Sequence, residues 1–198
     1  MGFGPLRVIN EDIVAPAQGF GSHPHRDMEI ITYVLEGELE HRDSMGHGEV
    51  IHAGEVQRMT AGTGVVHSEF NHSKKTPVHL LQIWIVPDER SLAPGYEQKL
   101  LTMPPNEWVT VAGKNGEGAL KIHQDVLLMA AKISANQTLE YAPKHGNAWV
   151  QVARGSVKVD DHALTQGDGA EIRNQNKIQF TAAEDSEVLL FDLPVAGH

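Results

Sequence analysis

The chain has 198 residues, 40% of them apolar, with a net charge of −10 and no cysteine. Its length accommodates one or two domains with substantial cores, and the missing thiols exclude disulfides, thiolate zinc sites, iron–sulfur clusters and cysteine nucleophiles. The acidic balance opposes non-specific attraction to DNA, RNA or anionic membranes, so neither nucleic acid nor membrane is expected as a partner.

The first residues lack the charged leader, apolar stretch and cleavage site of a signal peptide. No apolar run approaches the ~18 residues that span a bilayer. A cytoplasmic protein is the expectation. Nineteen glycines, ten prolines and short apolar runs point to brief strands joined by turns.

The first stretch with chemistry in it is Gly21-Ser22-His23-Pro24-His25-Arg26-Asp27-Met28-Glu29. On a strand, residues two apart face the same side at about 6.6–6.8 Å, so His23 and His25 can converge on one ion. Pro24 cannot donate to a ladder, which predicts an irregular strand there. A strand is expected over residues 29–35, followed by glycine turns at Gly37 and Gly54. The Gly62-Thr63-Gly64 turn then leads into Val65-Val66-His67-Ser68-Glu69, where His67 and Glu69 share parity. Another strand covers residues 78–86. The best helical candidate, residues 91–101, is interrupted by Pro94 and Gly95. Turn-rich residues 104–106 and 113–118 follow, so the boundary between two domains, 1–100 and 101–198, is expected within 88–115.

In the second half, strands are expected over residues 126–133, 148–152 and 187–193. Gly155 and Gly167 stand where Gly37 and Gly54 stand in the first half, and both halves close on a strand followed by proline. This order reads as an internal repeat, two similar β-domains in tandem. All-β is the expected class, as sandwich or barrel.

Eight of the twelve histidines fall between residues 23 and 79. With no cysteine, a metal would be held by His, Asp or Glu. Three imidazoles and one carboxylate suit a divalent first-row metal better than magnesium or calcium, and leave open positions for substrate or O2. Glu29 is the rival carboxylate, and spacing does not choose between it and Glu69. His41, His47, His52, His72 and His79 read as surface residues or as supports to the ligands. Where the repeat would place ligands the second half offers only His145, which reads as structural, so the C-terminal domain is expected to be metal-free. Residues 62–67 fail as a dinucleotide fingerprint, and neither a phosphate-binding loop nor a nucleophile elbow occurs.

Residues 19–29, 32–37 and above all Met59-Thr60-Ala61-Gly62-Thr63-Gly64-Val65-Val66-His67-Ser68-Glu69 resemble the pirin family of the cupin superfamily, and within it the bacterial pirin-like quercetin 2,3-dioxygenases. The likeness is strongest over residues 3–97. It implies a bicupin, two tandem antiparallel β-barrels of jelly-roll type. The family's metal ligands fall on His23, His25, His67 and Glu69, which settles the tie in favour of Glu69. The resemblance also implies Fe(II) as the expected metal, with Mn, Ni, Cu, Co or Zn as alternatives. A flavonol and O2 are the implied substrates, with Glu69 as the catalytic residue that takes the flavonol hydroxyl proton. Eukaryotic pirins imply a second reading, a metal-dependent, redox-responsive regulator that binds a protein partner. Family members usually carry a further segment before the position of Gly2-Phe3-Gly4, so strands that complete the barrels are expected to be missing.

Overall fold

The computed structural model describes residues 2–116 and 118–194. Among these residues the chain forms strands and no α-helix: β1 (Leu6–Val14), β2 (Gly19–His25), β3 (Glu29–Glu36), β4 (Glu38–Asp43), β5 (Gly48–His52), β6 (Glu55–Thr60), β7 (Val65–Asn71), β8 (Val78–Ile85), β9 (Gly95–Leu100), β10 (Val109–Gly113), β11 (Leu120–Lys121), β12 (Leu127–Ile133), β13 (Thr138–Tyr141), β14 (Asn147–Arg154), β15 (Ser156–Val159), β16 (His162–Thr165), β17 (Gly169–Ile172), β18 (Ile178–Ala182) and β19 (Ser186–Leu193). The weak helical candidate at 91–101 is strand β9 from Gly95 onward. Pro94 denies that segment a helical backbone bond, and Gly95 weakens a helix further.

Four sheets result, with strand orders β1-β8-β3-β6-β9, β2-β7-β4-β5, β11-β10-β12-β19-β14-β17 and β13-β18-β15-β16. The internal repeat is visible in the connectivity. Adding eleven to each label turns β1-β8-β3-β6 into β12-β19-β14-β17, and β2-β7-β4-β5 into β13-β18-β15-β16. The repeated glycines adopt matching backbone angles, φ of 77° at Gly37 against 76° at Gly155, and 86° at Gly54 against 87° at Gly167. Left-handed φ is where glycine alone carries no Cβ penalty, so the shared turns follow from glycine at the same place in the strand order of each half.

The two large sheets pack face to face, and their contact is the main core. Ile31, Tyr33 and Leu35 of β3 and Leu81, Ile83 and Ile85 of β8 meet Leu128, Ala130, Leu189 and Phe191 of β12 and β19. The alternate residues of β3 and β8 face the other way, into the first barrel. There Val34, Leu80, Leu39 and Ile51 form an apolar layer at one end, and Ile30, Met59 and Val65 form another beside Met28, Met45 and Trp84. Burial on both faces explains why residues 29–35 and 78–86 read as continuous apolar runs rather than alternating ones. Two polar residues within those runs, Thr32 and Gln82, point into the barrel and hydrogen-bond Glu69 there.

The second barrel is filled. Its inward positions on β18, equivalent to the ligand-bearing β7, carry Ile178, Phe180 and Ala182, which pack with Val150, Val152, Val157 and Leu190. Polar ties join the halves. Glu29, fully buried, accepts the backbone N–H of His123 at 2.6 Å on Oε2. Its Oε1 meets His123 Nδ1 at 2.9 Å and accepts the Thr60 hydroxyl at 3.0 Å. Tyr33 donates to Glu187 at 2.5 Å, and Arg154 reaches Glu36 at 2.6 Å and the Leu35 carbonyl at 2.9 Å.

Candidate metal centre

Strand β7 carries the site because its pleat is amphipathic in an unusual way. Val65, His67, Glu69 and Asn71 are buried, while the residues between them face outward. The turn that launches it requires Gly62. Its φ is 47°, and a Cβ there would stand 2.0 Å from the Leu92 carbonyl oxygen, so no other residue fits.

Strand β2 pairs with β7 so that His23 lies opposite His67 and His25 opposite Val65, with a register shift between Phe20 and His23. The irregularity expected at Pro24 falls earlier in the strand, since Pro24 itself pairs in register with Val66. The three imidazoles converge, with ring centroids 4.4 Å apart for His23 and His67, 4.8 Å for His23 and His25, and 4.9 Å for His25 and His67. Nε2 of His67 and Nε2 of His23 are 3.0 Å apart. His23 Nδ1 lies 2.7 Å from the Gly21 carbonyl, to which it donates, leaving Nε2 as a lone pair aimed at the cluster. His25 Nε2 is buried without a hydrogen-bond partner. Burial, with His23 beside it, lowers the basicity of His25. Burial, reinforced by His23, His25 and His41, pulls His67 down to about 3. Three imidazoles with one ring nitrogen each within 4.8 Å of the others are the donor set of a transition-metal ion, and an orphaned buried nitrogen among them is what such an ion satisfies.

Glu69 is also buried, but its nearest company differs. It forms a second group with His67 and His41 in which one ligand atom from each lies within 4.8 Å of the others. Gln82 donates to its Oε2 at 2.6 Å and Thr32 to its Oε1 at 3.4 Å. Complete burial raises its carboxyl to about 7, against those two hydrogen bonds and the pull of His23. His67 therefore belongs to both groups and joins the histidine trio to the carboxylate.

Glu29, the rival, does not share this interior. It has the parity of Ile31, Tyr33 and Leu35 on β3, so it faces the other half of the molecule and His123.

The histidines read as peripheral divide. His47, His52 and His72 keep partly exposed rings paired with Asp43, Glu38 and Glu40, and His79 pairs with Glu11 at 2.8 Å. His41 is fully buried beside His67, with ring centroids 5.4 Å apart. Its Nε2 meets Asp43 Oδ2 at 3.0 Å. Burial lowers His41 despite Asp43. Burial would raise Asp43, but hydrogen bonds from His41 and from the His47 and Met45 backbone hold it below its usual value. Asp43, Thr32, Gln82 and Trp84, whose ring sits edge-on to His25 at 5.0 Å, are site residues that motif reading missed. The available signals were His-x-Asp parity on β4 and polar residues inside otherwise apolar strands. A cavity of about 380 Å³ borders the cluster at His25 and is lined also by Arg26, Ser44, Thr63 and Val65.

Comparison with known proteins agrees with this architecture. Residues 2–85 match the family described as Pirin, and residues 110–193 match the one described as the quercetinase C-terminal cupin domain. A protein named quercetin 2,3-dioxygenase from Escherichia coli K12 is 45% identical over 195 residues, covering 98% of this chain and 84% of that protein. A pirin-like protein of Caulobacter vibrioides is 39% identical, covering 97% of this chain and 84% of its own length. The crystal structure of the bacterial pirin YhhW from Escherichia coli in complex with nickel(II) superposes with a TM-score of 0.92 at 44% identity, over 98% of this chain and 84% of that one.

Proposed function

The chain belongs to the pirin family of cupins, and from that footing we propose that it is a metal-dependent dioxygenase that opens the heterocycle of a flavonol such as quercetin with O2. The observation that carries this reading is the meeting of three imidazoles beside one buried carboxylate, with His25 on the wall of a cavity whose size falls in the range of small-molecule sites. The name of the 45%-identical relative supports the substrate class, and the nickel complex of the superposing structure supports a divalent metal. In this proposal His23, His25, His67 and Glu69 are the ligands, and residues 1–100 form the metal-binding barrel. Residues 101–198 form a metal-free barrel that stiffens the first. Fe(II) is the proposed ion, with Mn, Ni, Cu, Co or Zn as alternatives. The setting is cytoplasmic.

When bound, such an ion supplies Lewis acidity at the flavonol 3-oxygen and an open position for oxygen chemistry. The chain's own residues do the rest. Glu69, buried beside His67, takes the proton of the 3-hydroxyl. Gln82 and Thr32 fix which way that carboxylate faces. Trp84, Met28 and Met45 offer apolar surface to the aromatic rings and keep water from the reacting centre.

The test is to load the protein with each divalent ion, add quercetin under air, and follow loss of its visible absorbance together with carbon monoxide release. Turnover is expected, and His67→Ala should lose both bound metal and activity. Full activity in a metal-free His67→Ala protein would contradict the proposal. No turnover with any ion, beside redox-dependent capture of a protein partner, would favour the regulator instead.

A further inference from the structure

Histidine ligands almost always donate their remote N–H to a carbonyl, carboxylate or water, which fixes tautomer and orientation. His23 does so through the Gly21 carbonyl. His67 turns Nε2 toward His23, so its remote nitrogen is Nδ1, which is buried and has no partner. A donor needs an acceptor here.

The neighbouring ring supplies one. His41 is fully buried, and its Nδ1 is likewise without a partner. Its tautomer is dictated from the other side. Asp43 accepts the backbone N–H groups of Met45 at 2.9 Å and His47 at 3.1 Å, so its carboxylate is an acceptor and His41 Nε2 is the donor to it. A neutral His41 then carries a bare lone pair on Nδ1. The two rings are neighbours, with centroids 5.4 Å apart and one ring nitrogen of each within 4.8 Å of the other and of a Glu69 oxygen, close enough for a hydrogen bond between the two Nδ1 atoms to form by ring rotation or through one bridging water. The register adds to the argument: Asp43 lies opposite His67 and His41 opposite Glu69 across β4 and β7, so donor, acceptor and orienter share one inward face.

We propose that His41, held by Asp43, is a positioning residue of the metal centre: it accepts the outer N–H of His67, directly or through one water, and so keeps His67 Nε2 directed at the ion. The inference rests on the metal-centre reading above. It adds a residue pair that acts through a ligand without touching the ion.

Two substitutions separate this role from simple packing. Asn places an amide oxygen near where His carries Nδ1, so His41→Asn keeps an acceptor for His67 while giving up Asp43. Gln reaches the position of Nε2, so His41→Gln keeps Asp43 and gives up the acceptor. Co(II) affinity by chelator competition, the visible spectrum of the Co(II) protein, and the melting temperature of the metal-free protein are measured for each. His41→Gln should bind Co(II) about 10–100-fold more weakly with altered ligand-field bands, whereas His41→Asn should stay within a few-fold of the unsubstituted protein. Equal affinity in both variants, or unsubstituted affinity in His41→Gln, overturns the inference; a lowered melting temperature with unchanged affinity shows a packing role only. If neither variant folds, Asp43→Asn decides. Its amide can donate to Nε2 and reverse the His41 tautomer, so weakened Co(II) binding is expected and unchanged binding overturns the inference. Failure of the unsubstituted protein to bind Co(II) would instead defeat the metal-centre reading itself.

Discussion

Glu29 and Glu69 are glutamates of almost equal burial, 0% and 1% exposed, and both lie near histidines, yet the fold sets them to different tasks. Glu69 sits on an inward position of β7 and reaches the ligand cluster. Glu29 sits on the outward parity of β3 and clamps His123. Their substitutions should part accordingly. Glu69→Gln, assayed at saturating metal, should lower kcat for quercetin about 10²–10⁴-fold, the usual contribution of a positioned base, and an unchanged kcat would remove Glu69 from proton transfer. Glu29→Gln should leave metal affinity unchanged while weakening the junction by about 1–3 kcal/mol, the cost of a spoiled buried hydrogen-bond set, read as a lowered denaturation midpoint. At this scale the histidines were legible because parity on one strand is local. The choice of carboxylate was not legible from spacing, because parity says nothing about which sheet a strand joins, and His25 and Glu29 lie in different sheets. Whether His41 is a surface residue or a support to the ligands is not legible for a related reason. Its neighbours in sequence are Glu40 and Arg42, which look like a surface, and only the pairing of β4 with β7 shows that the residue between them faces the ligands.

Among the elements, the turn and strand from Gly62 to Asn71 bear most directly on the site. The glycine turn was read correctly as a strand launch, and its physical requirement is the backbone approach to Leu92. Gly62→Ala should therefore cost roughly 2–4 kcal/mol through overpacking and left-handed strain. The displacement should reach His67, five residues on, and weaken metal binding; a thermal melt and a metal titration on the same preparation check both halves. Gly46, whose added Cβ would meet nothing within 4 Å although its φ is 99°, is the comparison: its alanine variant should lose stability through backbone strain alone and keep its metal affinity. An irregular β2 was legible from its proline, but not the place of the shift, which lies between Phe20 and His23 while Pro24 pairs in register with Val66. Strand β9 was not legible, because a segment holding both proline and glycine says what it will avoid, a helix, more clearly than what it will form.

The molecule as a whole is a duplicated topology in which one copy keeps polar residues inside and the other fills its interior with Phe180, Ile178 and their neighbours. The repeat could be read from the shared order of strands, glycine turns and closing proline, and the all-β class from short apolar runs between turns. The face-to-face packing of the large sheets could not, because a doubly buried strand and a helix segment both look like an apolar run. That packing buries Tyr33 against Glu187, and burial first, then the Glu187 charge, raises the Tyr33 hydroxyl well above its ordinary value of 10.0. The folded state thus retains a proton that the unfolded chain releases, so stability should be unaffected by this group below about pH 10 and should fall as pH rises beyond it. Tyr33→Phe should flatten that alkaline decline by one proton's share, while weakening the protein at neutral pH because Glu187 loses its hydroxyl donor; urea midpoints across the range from about pH 8 to about pH 11 would show it.

The central claim is that His23, His25, His67 and Glu69 share one ion, and anomalous scattering from a crystal grown with nickel(II) or cobalt(II) tests it most directly. A single strong peak is predicted within the first barrel, at about 2.0–2.2 Å from a nitrogen of each histidine and an oxygen of Glu69. A peak held elsewhere, or one that leaves these side chains unligated at full metal loading, would contradict it.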